Sequence, residues 1–96
     1  MDKRDIIEGV KNIIQRHLAG GGFDVFLFGS QARRDHYLTS DIDIGILGKS
    51  IVPKEAMFKI LEEKEEIPTL RGIDIVDLQL TDAPFREDVL SYAKRI

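Results

Sequence analysis

The stretch Asp41-Ile42-Asp43-Ile44-Gly45-Ile46 constrains this chain more than any other. In a strand, residues two apart project to the same side. Ile42, Ile44 and Ile46 can therefore enter a core only if Asp41 and Asp43 stand side by side on the opposite face. Aspartate is disfavoured in strands, and two like charges on one face repel. A strand carrying this pair calls for a neutralising cation.

The rest of the chain supplies elements to pack around such a strand. Ile6, Ile7, Val10, Ile13, Ile14 and Leu18 recur at helical spacing, which predicts a helix from Asp2, a candidate N-cap, to Leu18. Gly20, Gly21 and Gly22 end it, because glycine supplies the positive φ that a sharp reversal needs. Phe23 to Phe28, Ile42 to Leu47 and Ile73 to Leu80 read as strands. A charged helix with Pro53 at its start and Met57, Ile60 and Leu61 on its inner side runs to about Glu66. Asp82 caps a last helix with Pro84 in its first turn and Phe85, Val89, Ala93 and Ile96 inward.

This order predicts an α+β chain, a two-layer α/β arrangement with a small mixed sheet of three to four strands and helices packed on one face. With 96 residues, 43% of them hydrophobic, one domain over 1–96 is expected. Cysteine is absent, which removes disulfides and thiolate metal sites and fits a cytoplasmic location. No apolar run approaches the ~18 residues that suggest a membrane span. The net charge of -3 disfavours unspecific binding to a phosphate backbone and so argues against a nucleic-acid partner.

Two chemistries meet in Gly29-Ser30-Gln31-Ala32-Arg33-Arg34, which precedes the aspartate strand by a short polar segment. Glycine directly after a strand lets backbone approach an anion closely, and a helical turn following it aims N–H groups at phosphate oxygens. Ser30 adds a hydroxyl donor. Arg33 and Arg34 lie within one turn of it, near enough for a guanidinium to bind triphosphate oxygens.

Hard oxygen ligands such as Asp41 and Asp43 suit Mg²⁺, which is held by one or two carboxylates with water and phosphate filling the remaining positions. A second ion about 4 Å away would allow a two-metal displacement. A third carboxylate would help to hold the attacking side. Asp74 and Asp77 are the candidates, and their odd spacing puts them on opposite faces of one strand. Alternation alone does not choose between them. Asp77 otherwise reads as a solvated strand residue. His17 and His36 have no partner at metal-ligand spacing and read as structural or exposed, and the run Glu62 to Glu66 reads as a solvated helix end.

Gly29-Ser30, ten residues, then Asp41-Ile42-Asp43 and a distant aspartate resembles the minimal nucleotidyltransferase group of the DNA polymerase beta superfamily. Ser30, Ala32 and Arg33 fit the group's Gly-Ser-x-Ala-Arg form; Arg34 departs from it, since glycine or lysine is common there. Ile73-Asp74-Ile75-Val76 fits the strand of the third carboxylate better than Val76-Asp77-Leu78-Gln79, so the resemblance favours Asp74.

The resemblance implies a polymerase-beta-like palm. In it Asp41, Asp43 and Asp74 are the catalytic metal ligands for two Mg²⁺ ions. Gly29, Ser30 and Arg33 hold ATP or another nucleoside triphosphate. Small members of the group resemble antitoxins whose partner is a helical HEPN-domain protein, and some adenylylate that partner. An antitoxin acting as a protein adenylyltransferase is thus the expected function. The competing expectations are an antitoxin that occludes its helical partner without catalysis, and the catalytic subunit of a two-chain small-molecule nucleotidyltransferase. Self-association into a homo-oligomer is left open.

Overall fold

The computed structural model describes residues 2–29 and 41–96. Ser30, Arg33, Arg34 and His36, all singled out above, lie outside the described residues.

Helix α1 spans Lys3–His17. Asp2 starts it as expected: its side chain accepts from the Asp5 backbone N–H at 2.9 Å, and Asp5 reaches back to the Asp2 N–H, closing a capping box. Its inner stripe is Ile6, Val10, Ile13 and Ile14, all buried. Gly20 and Gly22, with φ of 78° and 72°, turn the chain into strand β1, Asp24–Phe28.

Strand β2 is Ile42–Leu47, helix α2 is Lys54–Lys64 and strand β3 is Ile73–Asp77. Helix α3 is Ala83–Tyr92, and strand β4 is Lys94–Arg95. The sheet order is β3-β2-β1-β4, with β2 antiparallel to β1 and parallel to β3, and β4 antiparallel to β1. The sheet is mixed and four-stranded, as expected.

Period-two alternation sorts the side chains between two cores. Val25, Leu27, Ile42, Ile44, Ile46 and Ile73 point to one face, where they meet Ile6, Val10, Ile13 and Ile14 of α1 and Ile60 of α2. Ile42, Ile44 and Ile46 are each 0% exposed. Full burial of such a side chain contributes about 1.5–3 kcal/mol, enough to fix the register of β2 and with it the side on which the aspartates emerge.

The opposite face carries Phe26, Phe28, Leu47 and Val76, which pack with Leu78 and with Val89, Tyr92 and Ala93 at the end of α3. Helices α1 and α2 share one face as expected. Helix α3 covers part of the other, because those strand residues leave an apolar strip that needs cover.

The last two elements differ from expectation at their ends. The third strand stops at Asp77, since the Asp77 carboxylate accepts from the Gln79 N–H at 3.0 Å and caps a 3₁₀ turn over Leu78–Leu80. The last helix stops at Tyr92, where residues 94 and 95 leave it to pair with Phe26 and Leu27. Asp82 caps that helix as expected, its side chain accepting from the Phe85 N–H at 2.8 Å. Phe85, expected inside, is 43% exposed and meets Phe28 edge to face with ring centroids 6.4 Å apart.

The acidic run at the end of α2 is also put to use. Glu63 pairs with Arg16 at 3.2 Å and with His17 at 2.5 Å, tying the ends of α1 and α2 together and giving His17 a structural place.

Candidate functional site

The carboxylates gather at one end of the sheet, on the face opposite α1 and α2. Parallel pairing of β2 with β3 sets Asp43 directly across from Asp74, and antiparallel pairing with β1 sets it across from Phe28. Asp41 precedes β2 by one residue, and the Ile42 N–H donates to the Gly72 carbonyl at 2.8 Å, fixing where β3 begins relative to β2.

Two glycines make room for these groups. A Cβ on Gly29 would lie 2.1 Å from Asp43 Oδ2, and Gly29 has φ of 71°, where only glycine sits without strain. A Cβ on Gly72 would lie 2.5 Å from Asp41 Oδ1. The first of these was legible as the glycine of a phosphate loop. The second was not singled out in the sequence, though a glycine directly before an aspartate strand signals a close backbone approach.

Burial raises the Asp43 carboxyl above the ordinary carboxylate value, and the charges of Asp74 and Asp41 together with a hydrogen bond shared with Asp74 push it the same way. Asp43 is half-buried, whereas Asp41 and Asp74 are exposed. The repulsion foreseen for Asp41 and Asp43 is thus present, and its larger share comes from Asp74 across the strand pair.

Among the described residues, no three His, Cys, Asp or Glu side chains form a ready ion-binding cluster. Asp43 and Asp74 instead form a two-carboxylate nucleus with Asp41 nearby. That donor set fits Mg²⁺, which is commonly bound through one or two carboxylates and completes its shell with water and phosphate oxygens. A bound cation would also relieve the repulsion at Asp43.

Asp77 has a different task from the solvated one expected of it. It is 5% exposed, and its Oδ2 accepts from the Val52 N–H at 2.8 Å. Lying on the helix-covered face with Ile73 and Ile75, it pins the chain entering α2 and has no access to the acidic end of the sheet.

Tyr92 is a further residue of the site. The Gly29 N–H donates to its hydroxyl at 3.3 Å, so the last turn of α3 anchors the end of β1 beside Asp43. Spacing could have found it, since Tyr92 follows the inward Val89 by three residues.

The sequence family described as Polymerase beta, Nucleotidyltransferase matches residues 10–96. No curated protein sequence matches the chain. Among solved structures, a candidate minimal nucleotidyltransferase superposes with a TM-score of 0.73 at 23% identity, covering 100% of this chain and 97% of its own. The complex of a tri-AMPylated Shewanella oneidensis HEPN toxin with its MNT antitoxin gives 0.68 at 17% identity, covering 96% of this chain and 69% of that one. A toxin–antitoxin structure with AMP-PNP gives 0.69 at 22%, covering 92% and 70%. Likenesses at these identities establish the polymerase-beta-like fold expected from the sequence. Among the described residues, no helix is long and apolar enough to cross a membrane.

Proposed function

Because the chain belongs to the polymerase beta nucleotidyltransferase family, we propose that it transfers a nucleoside monophosphate, AMP from ATP, onto an acceptor hydroxyl. The observation that carries this reading is the Asp43–Asp74 pair, registered across parallel strands beside the close approach of Gly29.

In this reading the triphosphate lies on the β1 side, against Gly29, Ser30 and Arg33, and the acceptor comes in on the β3 side. The acceptor oxygen bonds to the α-phosphorus while the bond from that phosphorus to the bridging oxygen breaks. Pyrophosphate leaves with the electron pair, and the hydroxyl proton passes to the Asp74 carboxylate and on to water. Asp41, Asp43 and Asp74 would hold Mg²⁺, which supplies charge neutralisation and fixes the orientation of the phosphates. Asp43 is the central ligand because it neighbours both other carboxylates. Tyr92 keeps Gly29 in place through its hydroxyl.

The acceptor we infer is a helical HEPN-domain protein, which makes the chain an antitoxin that acts by AMPylation. The solved relatives supply the support: one was captured with a tri-AMPylated HEPN toxin, and another toxin–antitoxin structure contains AMP-PNP.

The test is to incubate the chain with labelled ATP, Mg²⁺ and the protein encoded by the adjacent gene, comparing wild type with Asp41→Asn and Asp43→Asn. The wild type labels its partner. The variants fall about a thousandfold, the equivalent of roughly 4 kcal/mol of lost transition-state stabilisation. Equal labelling by all three refutes the proposal.

A further inference from the structure

Helix α3 covers the aspartate face of the sheet unevenly. Phe85, Val89 and Tyr92 recur at helical spacing and all reach toward β1. Val89 is 1% exposed, and Tyr92 meets the Gly29 N–H, yet Phe85 at the head of the same stripe is 43% exposed. A large apolar ring is thus left open to solvent on the face that carries Asp43 and Asp74.

That ring is held rather than loose. The Phe85 N–H donates to Asp82 Oδ1 at 2.8 Å in the helix cap. Its neighbour Arg86 donates from the backbone to the Asp82 carbonyl at 3.0 Å and from Nη1 to the Leu78 carbonyl at 3.4 Å, which fastens the first turn of α3 to the 3₁₀ turn before it. Phe28 meets the Phe85 ring at 86°, with centroids 6.4 Å apart, and is itself buried against Leu78 and Val89. A T-shaped contact engages one face or one edge of a ring, so a π-face of Phe85 stays available to another planar group.

The position of the ring narrows the occupant. Phe28 stands across from Asp43 in the β1–β2 register and directly precedes Gly29. Cross-strand neighbours on one face have Cβ atoms about 4.5–5.5 Å apart. Two side-chain contacts therefore lead from the Asp43 carboxylate through Phe28 to Phe85, a span within the reach of a nucleotide whose phosphates lie at Gly29 and Asp43. The opposite face of the sheet is closed by α1 and α2, so the nucleoside has to lie over this one. Among the described residues two phenylalanines are strongly exposed. Phe58 belongs to α2, behind the sheet, which leaves Phe85 as the open ring on the aspartate side.

We infer that Phe85 is the platform on which the nucleobase of the triphosphate stacks, with Phe28 bracing its ring. Stacking of this kind is open to every base, because each presents a π-face. The inference rests on the transferase reading above for the placement of the phosphates, and it adds no bond made or broken to the reaction.

The test is calorimetric titration, in Mg²⁺, of AMP-PNP and of inorganic tripolyphosphate, which has the phosphates without the base. Wild type, Phe85→Ala, Phe85→Leu and Phe85→Tyr are compared, the leucine variant keeping apolar contact with Phe28 in case alanine loosens the helix. The wild type binds AMP-PNP about tenfold more tightly than tripolyphosphate, and Phe85→Ala and Phe85→Leu lose most of that margin. Tripolyphosphate affinity stays at the wild-type level in all variants, and Phe85→Tyr keeps the preference for AMP-PNP. A margin that survives both Phe85→Ala and Phe85→Leu overturns the inference. So does an equal loss for the two ligands, which would make Phe85 a support of the phosphate site rather than a reader of the base. In both cases the wild type still binds AMP-PNP and the transferase reading stands. A wild type that takes up neither ligand overturns that reading, and the platform with it.

Discussion

Asp43 and Asp74 face each other across the parallel register of β2 and β3, and the hydrogen bond and charge between them, with burial, hold the Asp43 carboxyl above its ordinary value. Like charges are held together here by the core: Ile42 and Ile44 beside Asp43, and Ile73 and Ile75 beside Asp74, are all drawn to the helix-covered face.

That arrangement predicts a gain in stability when the central charge is removed. A carboxyl whose folded value is raised favours the folded state while protonated. Its contribution is fully present below the unfolded value and is lost as pH rises through the folded one. Asp43→Asn is therefore expected to raise the melting temperature of the metal-free protein at pH 7. The gain should be a few degrees, because Asp43 is only half-buried and about 1 kcal/mol moves a domain of this size by ~4–8 °C. The difference should shrink as pH falls below the ordinary aspartate range. Thermal melts at a series of pH values in EDTA check this, and a variant less stable than wild type at pH 7 contradicts it.

Asp77 should behave in the opposite way. Its carboxylate is buried against the Val52 N–H, so Asp77→Ala strands a buried donor and costs about 1–3 kcal/mol. Denaturant unfolding should show that loss, while Mg²⁺-dependent nucleotide affinity of the folded variant stays at the wild-type level. Weakened nucleotide binding would mean that the two aspartates of β3 have been assigned the wrong way round.

The contrast between Asp74 and Asp77 marks how far the sequence could be read. Period-two alternation showed that the two must face opposite ways, and the isoleucines of β2 showed which face Asp41 and Asp43 take. Neither told which face of β3 shares that side, because Val76 and Leu78 are as apolar as Ile73 and Ile75. The choice rested on family resemblance; in the parallel register of β2 and β3, Asp74 stands across from Asp43. Strand β4 was hidden for another reason. Lys94 and Arg95 have no strand pattern of their own, and Ala93 and Ile96 continue the helical spacing of Val89. Their pairing depends on the open edge of β1, which is a tertiary fact.

Gly29→Ala should damage the site more than the fold. A methyl group there meets Asp43 Oδ2 at 2.1 Å, and φ of 71° adds strain of about 1–2 kcal/mol for a residue with a side chain. The expected result is a folded protein with a lowered melting temperature and at least a hundredfold loss of transfer, about 2.7 kcal/mol. Circular dichroism melts and labelled transfer on one preparation check both halves. Unchanged transfer would show that the approach of Gly29 to Asp43 is not needed.

Gly72→Ala tests the placement of Asp41 alone. The added Cβ would lie 2.5 Å from Asp41 Oδ1, so Asp41 must swing away while Asp43 and Asp74 stay in register. Mg²⁺ affinity, followed by titration against AMP-PNP, should weaken about tenfold, with kcat at saturating Mg²⁺ less affected than the apparent Kd. An unaltered Mg²⁺ titration would remove Asp41 from the ligand set.

The most direct measurement is calorimetric titration of AMP-PNP into the wild type with Mg²⁺, into the wild type with EDTA, and into Asp43→Asn with Mg²⁺. The account predicts binding in the first case and its loss in the other two. Equal affinity in all three would show that these carboxylates do not gather a divalent cation for a triphosphate.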